Sequence, residues 1–166
     1  DKVVTVTSAA TDVSVAQLDG ISAATDKVVT ASISGVAADL AALKTASTDN
    51  ITVTVTDEAS VDELTKIDNA TSGSISYTTV EDTAANLTTD AGTNGGEGTF
   101  TADKAVTVTT SATVDQLTKI STANGSAALT YTTVEDTAAN LTTDAATNSG
   151  EGTFTADKAV TVTTAA

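Results

Sequence analysis

The chain contains no cysteine, methionine, tryptophan, histidine, arginine or proline, and it has only two tyrosines and two phenylalanines. The absence of cysteine excludes disulfide bonds and thiolate metal sites. Without histidine or cysteine, the most frequent general base and the most reactive nucleophile are missing. Large apolar side chains are also scarce, with 18 valines, 8 leucines and 6 isoleucines among 166 residues. A stable core therefore needs these side chains spread evenly through a regular structure.

Positive charge is scarce as well. Seven lysines stand against 22 acidic residues, so the net charge is −15. Nucleic-acid binding needs lysines and arginines that neutralise phosphates, so this charge argues against nucleic acid as a partner.

No run of residues approaches the roughly 20 apolar positions of a membrane span. The chain has no recognisable signal peptide and begins with Asp1, which leads us to expect a processed or excised segment.

One segment of the chain occurs twice. Residues 77–110 read YTTVEDTAANLTTDAGTNGGEGTFTADKAVTVTT, and residues 131–164 repeat this text at an offset of 54 residues. The two copies differ only at Gly92 against Ala146 and at Gly95 against Ser149. Repetition at a fixed period is typical of arrays in which each unit buries its apolar face against the next unit.

The repeat predicts the domain organisation and argues against catalysis. We expect a single repeat array over residues 1–166, with approximate units 1–48, 49–102 and 103–156 and a further unit that starts at 157–166. A catalytic site needs a unique set of residues, whereas nearly every residue here has a twin. We therefore predict that the chain is not an enzyme.

Strand-like and helix-like patterns alternate along the chain. Strand-like runs start near residues 3, 28, 51, 75, 105, 129 and 159. Three capping boxes, which begin at Ser14, Ser60 and Thr113, predict short helices between them. A further helix carries Val36, Leu40 and Leu43, and an Asp N-cap is expected at Asp82 and Asp136.

Strand, helix and strand within about 24 residues indicate parallel pairing with right-handed crossovers. The predicted fold is a right-handed parallel α/β solenoid with rungs of about 24–30 residues. Its helices lie on one face and a Thr-rich sheet forms the other face. Tandem Ig-like β-sandwiches are the alternative fold, and the capped helices argue against them.

The V-T-V-T strands alternate, which predicts valines beneath the helices and threonines on the open face. We expect Val53, Val55, Val106 and Val108 to be buried. The outward threonines form the candidate binding face, and they are Thr5, Thr7, Thr52, Thr54, Thr56, Thr107, Thr109, Thr161 and Thr163. Regular threonine rows resemble the faces of ice-binding β-solenoids, so ice or another ligand is the alternative function. Threonine also suits any solvated strand face.

The Gly-rich insertions, residues 95–101 and 149–155, predict loops that each carry a short extra strand around Phe100 or Phe154. The first insertion resembles the nonapeptide Ca²⁺ motif G-G-x-G-x-D, but Phe100 stands where the Asp ligand belongs. We therefore expect no cofactor, and calcium held by Asp-rich turns is the alternative.

Carboxylate pairs such as Asp57/Glu58 and Glu81/Asp82 are the only candidates for catalysis, of the kind that glycosidases use. A carbohydrate-active enzyme module is therefore the second alternative function. Each pair, however, lies at the predicted start of a helix, where acids interact favourably with the helix dipole.

The recurrent units V-T-V-T, S/T-V-x-E/Q-L-T-x-I and Y-T-T-V-E-D-T-A-A-N-L resemble repeats in very long extracellular proteins of cyanobacteria and marine bacteria. Those proteins include giant surface proteins tied to motility, S-layer-like coats and haemolysin-type adhesins. The resemblance covers most of the chain and implies export, a cell-surface or extracellular location and a structural or adhesive role. We therefore expect a segment of a surface layer, filament or adhesin stalk that associates with identical repeats or filament subunits, and a cell-surface glycan is a further candidate partner. Equivalent strands near both ends predict end-to-end pairing of copies.

Overall fold

The computed structural model describes residues 3–125 and 127–164. The chain divides into two compact units, Asp1–Thr79 and Val80–Ala166. This division falls within the predicted unit 49–102, and the predicted unit bounds remain a prediction. Within the described residues, no helix has both the length and the apolar character needed to cross a membrane.

The first unit is a parallel sheet whose strands alternate with helices. Its elements in chain order are β1 (Val4–Thr5), α1 (Val15–Ala23), β2 (Val29–Gly35), α2 (Ala37–Leu40), β3 (Asn50–Val55), α3 (Val61–Asn69) and β4 (Ile75–Ser76). The strand order is β1-β2-β3-β4, so each strand pairs with the next one along the chain. Ile33 lies opposite Val53, and Val53 lies opposite Ile75, in parallel register.

The second unit repeats the alternation. β5 (Thr79–Asp82) begins where the first unit ends, and it is followed by α4 (Ala84–Ala91), β6 (Ala105–Val108), α5 (Val114–Ala123), β7 (Leu129–Thr130), β8 (Thr133–Thr137), α6 (Ala138–Ala145) and β9 (Ala159–Thr163). β6 lies between β5 and β7, and β8 pairs with β9. The pairs β6–β7 and β8–β9 are parallel.

The predicted α/β class and the parallel pairing are confirmed. The alternative of tandem Ig-like β-sandwiches is wrong, because those domains are built from antiparallel strands, whereas helices here connect strands that run parallel. Helical connections arise because a parallel pair needs a crossover of a dozen or more residues.

The core forms where alternating valines meet the apolar stripes of the helices. Val53, Val55, Val106 and Val108 are all buried, as the V-T-V-T pattern predicts. Helix positions such as Leu18, Leu64 and Leu117 are fully buried. The valines of β9 differ, since Val160 is 46 % and Val162 is 63 % exposed. The structure describes only Thr164 beyond this strand, so no following helix among the described residues covers them.

All three predicted capping boxes are present. Ser14, Ser60 and Thr113 accept the N3 amide while the N3 side chain accepts the N-cap amide. The N-cap prediction for the other helices was one residue off. Thr83 and Thr137 are the N-caps of α4 and α6, because a hydroxyl at that position reaches the N3 amide.

Two further predictions about local structure are wrong. The runs around residues 74–80 and 128–134 are each broken into two strands, because their halves pair with different partners. In the second run Leu129 and Thr130 pair with β6, whereas Thr133 onward pairs with β9. Val36 is 41 % exposed because it is the N-cap of α2, outside the apolar stripe.

Three helices take a cap from the strand region that follows them. The Ala37 amide, the first of α2, donates to Asp57 Oδ1 at 2.7 Å. The Ala84 amide donates to Thr110 Oγ1 at 3.0 Å, and the Val114 amide donates to Asp136 Oδ2 at 3.0 Å. These bonds satisfy first-turn amides that have no partner inside a helix, and they join each helix to the next strand region.

Candidate binding surface

The predicted threonine face lies on or beside four strands. Thr5 lies on β1, Thr52 and Thr54 on β3, Thr107 on β6, and Thr161 and Thr163 on β9. Thr56 and Thr109 directly follow a strand, and Thr7 lies two residues after β1. Most of these side chains are exposed, and Thr107 and Thr163 are half-buried. Whether this face binds a ligand stays a prediction.

In the first unit the outward positions form short rows across the sheet. Thr54 lies between Ser34 and Ser76, and Ser32 lies opposite Thr52. Neighbours in such a row are about 4.8 Å apart, the spacing of paired strands. The rows therefore carry hydroxyl groups throughout, but serine alternates with threonine, so the methyl groups of an all-threonine row are interrupted.

In the second unit the rows are less uniform. Thr107 lies opposite Thr130, and Thr163 lies opposite Thr137. Thr161 instead lies opposite Glu135, whose carboxylate accepts a hydrogen bond from the Ser111 hydroxyl at 2.9 Å. This part of the face thus offers a negative charge beside hydroxyls, which suits a ligand that donates hydrogen bonds.

The Gly-rich insertions contain a feature that sequence reasoning missed. The first loop (residues 92–104) folds around Asp90, whose carboxylate is buried at 4 % exposure. Asp90 Oδ2 accepts the Thr101 amide at 2.9 Å, the Thr101 hydroxyl at 2.8 Å and the Phe100 amide at 3.1 Å. Gly98 is required here, because a Cβ at its φ of +76° would collide with Thr101 Oγ1.

The second loop (residues 146–158) reproduces this arrangement. Asp144 Oδ2 accepts the Thr155 amide at 3.0 Å, the Thr155 hydroxyl at 2.8 Å and the Phe154 amide at 3.1 Å. The extra strands predicted around Phe100 and Phe154 are absent from the described loops, because these amides bond to a carboxylate instead of to a neighbouring strand. Both copies are nearly identical over their full length, so nothing in the sequence singled out the two aspartates.

A groove of about 500 Å³ lies between α5 and α6, and Phe154 of the second loop is part of its wall. Its lining includes Thr118, Thr122 and Thr143, whose hydroxyls donate to the carbonyl four residues earlier. Such back-bonding satisfies hydroxyls locally. Their oxygen atoms keep the capacity to accept a further hydrogen bond.

Two titratable groups of the second unit are perturbed. Burial, together with the negative charge of Asp144, raises the pKa of Tyr131, whose hydroxyl donates to the Phe154 carbonyl at 3.0 Å. For Asp136, burial acts to raise the pKa, but hydrogen bonds from Asn140, Thr137 and Val114 outweigh it and lower the pKa overall. Both groups are engaged by their neighbours in the fold.

Acidic side chains are numerous but dispersed. Within residues 3–125 and 127–164, no group of three or more aspartate and glutamate residues is arranged to hold a metal ion. Lys66 and Lys119 pair with Asp62 and Asp115 one helical turn earlier. These are exposed pairs of the kind that contributes about 0.3–0.5 kcal/mol to a helix.

No protein-family model matches the chain, and no curated protein or solved structure is significantly similar to it. The features that bear on function are the parallel strands, the hydroxyl rows and the two loops centred on aspartate.

Proposed function

We propose that this chain is a non-enzymatic structural repeat segment of a secreted or cell-surface protein. In this proposal the chain is a right-handed parallel α/β solenoid that spans, coats or presents, as in a surface layer, a filament or an adhesin stalk. The observation that carries the proposal is the strand order β1-β2-β3-β4, in which every strand pairs with its neighbour in sequence.

A sheet in which each strand pairs with its neighbour in sequence can be extended by adding strands at its end. Val29 lies opposite Val4, Ile51 lies opposite Ala31, and Ile75 lies opposite Val53, so successive partners are separated by 20–25 residues. A unit that contacts only its neighbours can be added without rearranging the rest. Length can therefore increase while the cross-section stays constant, which is what a spanning or coating segment requires.

The two aspartate-centred loops support the assignment of a structural repeat. The bonds from the Thr101 amide and hydroxyl to Asp90 match those from Thr155 to Asp144 within 0.1 Å. Equal geometry around the two aspartates supports the proposal that the 54-residue period of the sequence is also a structural period. A repeated structural unit favours assembly over catalysis, which needs one unique site.

Insertion of one more repeat tests the architecture. We would place an additional copy of residues 77–130 between Thr130 and Tyr131 and measure small-angle X-ray scattering. In the proposed solenoid the insert adds two rungs, so at the usual strand spacing it should lengthen the particle by about 10 Å and leave its cross-section unchanged. The control carries a Gly/Ser insert of equal length, which should add flexible mass only. A wider particle of unchanged length would contradict the solenoid.

The proposed surface location and the proposed non-enzymatic role can both be tested on the native protein. Antibodies raised against this chain should label intact cells or their medium, and protease treatment of intact cells should remove the cell-bound label. Labelling that appears only after lysis would contradict a surface role. Turnover of a polysaccharide that is abolished by a single carboxylate substitution would favour the carbohydrate-active alternative instead.

A ligand-binding sheet face is the second candidate, favoured by the hydroxyl row Ser34, Thr54 and Ser76, in which Thr54 and Ser76 are exposed and Ser34 is half-buried. If this face binds ice or another flat ligand, Thr54→Tyr should abolish thermal hysteresis or ligand binding, because the ring projects from the row. Thr65→Tyr on the exposed side of α3 is the control. Equal activity of the two variants would show that this face is not the ligand-binding surface.

A further inference from the structure

The chain contains three asparagines that are followed by glycine or serine in turns, namely Asn94, Asn124 and Asn148. We propose that Asn94 is a site of spontaneous deamidation, through a succinimide formed with Gly95. The modification converts the first loop into a more negative and less ordered form and spares the second loop. This inference goes beyond the proposed structural role and does not depend on it.

The reaction needs only water. The backbone nitrogen of Gly95 attacks Cγ of Asn94, the new N–Cγ bond forms, the Cγ–Nδ2 bond breaks, and ammonia leaves with the proton from the Gly95 nitrogen. Water then opens the five-membered ring at either carbonyl and gives aspartate or isoaspartate. No oxidant or reductant takes part, and the chain gains one negative charge.

The surroundings of Asn94 favour this attack. Asn94 and Gly95 are both exposed, and a Cβ built on Gly95 would meet nothing within 4 Å. Both residues have positive φ, +50° and +76°. Among the described residues, no acceptor holds the Gly95 N–H. Open space and the missing side chain leave the backbone free to reach the geometry in which nitrogen and Cγ approach.

Asn124 carries the same Asn-Gly sequence but is protected by the fold. Its side chain is only 1 % exposed, and its amide donates to the Ala127 and Ala128 carbonyls at 3.1 and 3.3 Å. The Gly125 N–H donates to the Thr122 carbonyl at 3.4 Å. Asn94 also bonds a carbonyl through its side chain, so the protection of Asn124 lies in its burial and in the bond that engages the Gly125 nitrogen.

Asn148 is the matched comparison in the second loop. It is exposed and has a φ of +52°, close to that of Asn94. Its successor, however, is Ser149, whose Cβ crowds the nucleophilic nitrogen and restricts the backbone. The two asparagines share loop position and backbone conformation, but within the described part of the chain only Asn94 of the two holds a later carbonyl through Nδ2. Exchange of the residues at positions 95 and 149 therefore isolates the effect of the following residue.

Deamidation has a structural consequence in the first loop. Asn94 Nδ2 donates to the Gly98 carbonyl at 3.0 Å, and Gly98 packs over the Asp90 carboxylate. The product carboxylate has no proton to donate and would face a carbonyl oxygen. Isoaspartate also adds a methylene group to the backbone. The segment that wraps Asp90 should therefore loosen once Asn94 has reacted.

The test follows all three asparagines in one sample. The intact chain is incubated in mildly alkaline buffer, and peptide mapping by mass spectrometry, with enzymatic detection of isoaspartate, measures each site over time. We expect Asn94 to react about tenfold faster than Asn148, equivalent to ~1.4 kcal/mol in the barrier, and Asn124 to stay intact. In denaturant, Asn124 should react as fast as Asn94, since its sequence is the same and only the fold protects it.

Reciprocal substitutions provide controls that the chain already tolerates. Gly95→Ser should slow Asn94 to the rate of Asn148, and Ser149→Gly should accelerate Asn148 to the rate of Asn94. In the purified deamidated protein, amide hydrogen exchange should increase at Phe100 and Thr101 and stay unchanged at Phe154 and Thr155. Equal rates at Asn94 and Asn148 in the unmodified chain, or rapid reaction of Asn124 in the folded chain, would overturn the proposal.

Discussion

At the scale of single residues, buried carboxylates have the clearest structural role. Asp90, Asp136 and Asp144 are all at most 6 % exposed, and each accepts hydrogen bonds from backbone amides. A buried charge is tolerated only when hydrogen bonds replace its hydration. No buried side-chain nitrogen or oxygen among the described residues lacks a partner, so these acids act as fixed anchors of loops and helices.

Removal of the Asp90 anchor should destabilise the chain. Asp90→Ala leaves the Phe100 amide, the Thr101 amide and the Thr101 hydroxyl without an acceptor. We expect a loss of about 2–3 kcal/mol in the free energy of unfolding, measured by urea denaturation. Glu97→Gln alters an exposed acid of the same loop and should change stability little. Equal stability of both variants would contradict the anchoring role.

Asp136 should contribute to acid sensitivity. Burial acts against its charge, but three hydrogen bonds lower the pKa below its ordinary value. A lowered folded pKa stabilises the fold above the unfolded value of about 3.9, and this contribution is lost as the pH falls through the folded pKa. The stability difference between the native chain and Asp136→Asn should therefore shrink below about pH 4.

This dependence is measured by urea unfolding at a series of pH values. Asp12→Asn, a change at an exposed acid, serves as the control and should leave the pH dependence of unfolding unaltered. A constant difference between the native chain and Asp136→Asn across the acid range would contradict the assignment.

At the scale of elements, the helices are short and depend on tertiary contacts. α2 comprises four residues and α5, the longest, ten residues. Isolated helices shorter than about 12–15 residues are marginal in water. Local capping boxes satisfy some of their first-turn amides, and caps from residues in or after later strands satisfy others.

The cap on α2 can be tested with adjacent acids. α2 has no cap from its own N-cap side chain, and Asp57 accepts the Ala37 amide. Asp57→Ala should lower the free energy of unfolding by about 1 kcal/mol. Glu58→Ala changes the neighbouring exposed acid and should have a much smaller effect. If the two variants are equally stable in thermal unfolding, the cap has no energetic role.

At the scale of the whole molecule, we propose that copies associate end to end through the edges of β1 and β9. Val3, which precedes β1, and Val160 and Val162 of β9 are exposed, and unpaired strand edges recruit further strands. A head-to-tail contact of this kind generates open fibres unless its rotation closes a ring. Electrostatic repulsion between copies opposes this association, because each copy carries a net charge of −15.

Association should therefore increase with ionic strength. Salt screens exposed charges over about 10 Å at 0.1 M, so sedimentation velocity across a salt and Ca²⁺ series should show growing oligomers. Val160→Lys with Val162→Lys should suppress them, whereas Val28→Lys, at another exposed valine, should not. A particle that stays monomeric under all conditions would refute end-to-end pairing.

The sequence by itself determined the periodic parts of this protein. Capping boxes at Ser14, Ser60 and Thr113 fixed three helix starts, and V-T-V-T alternation fixed which face of β3 and β6 is buried. These patterns are local, since side-chain alternation and N-cap bonds depend on residues a few positions apart.

Only the tertiary structure decided the rest. The runs near residues 74–80 and 128–134 look like single strands, but each is divided because its halves pair with different neighbours. The role of Asp90 depends on Thr101, eleven residues away through a loop of positive-φ residues, and the cap from Asp57 spans twenty residues. Such contacts are set by how helices, loops and strands pack together, which no local pattern specifies. The protection of Asn124 and the exposure of Asn94 follow from the same packing, although both precede glycine.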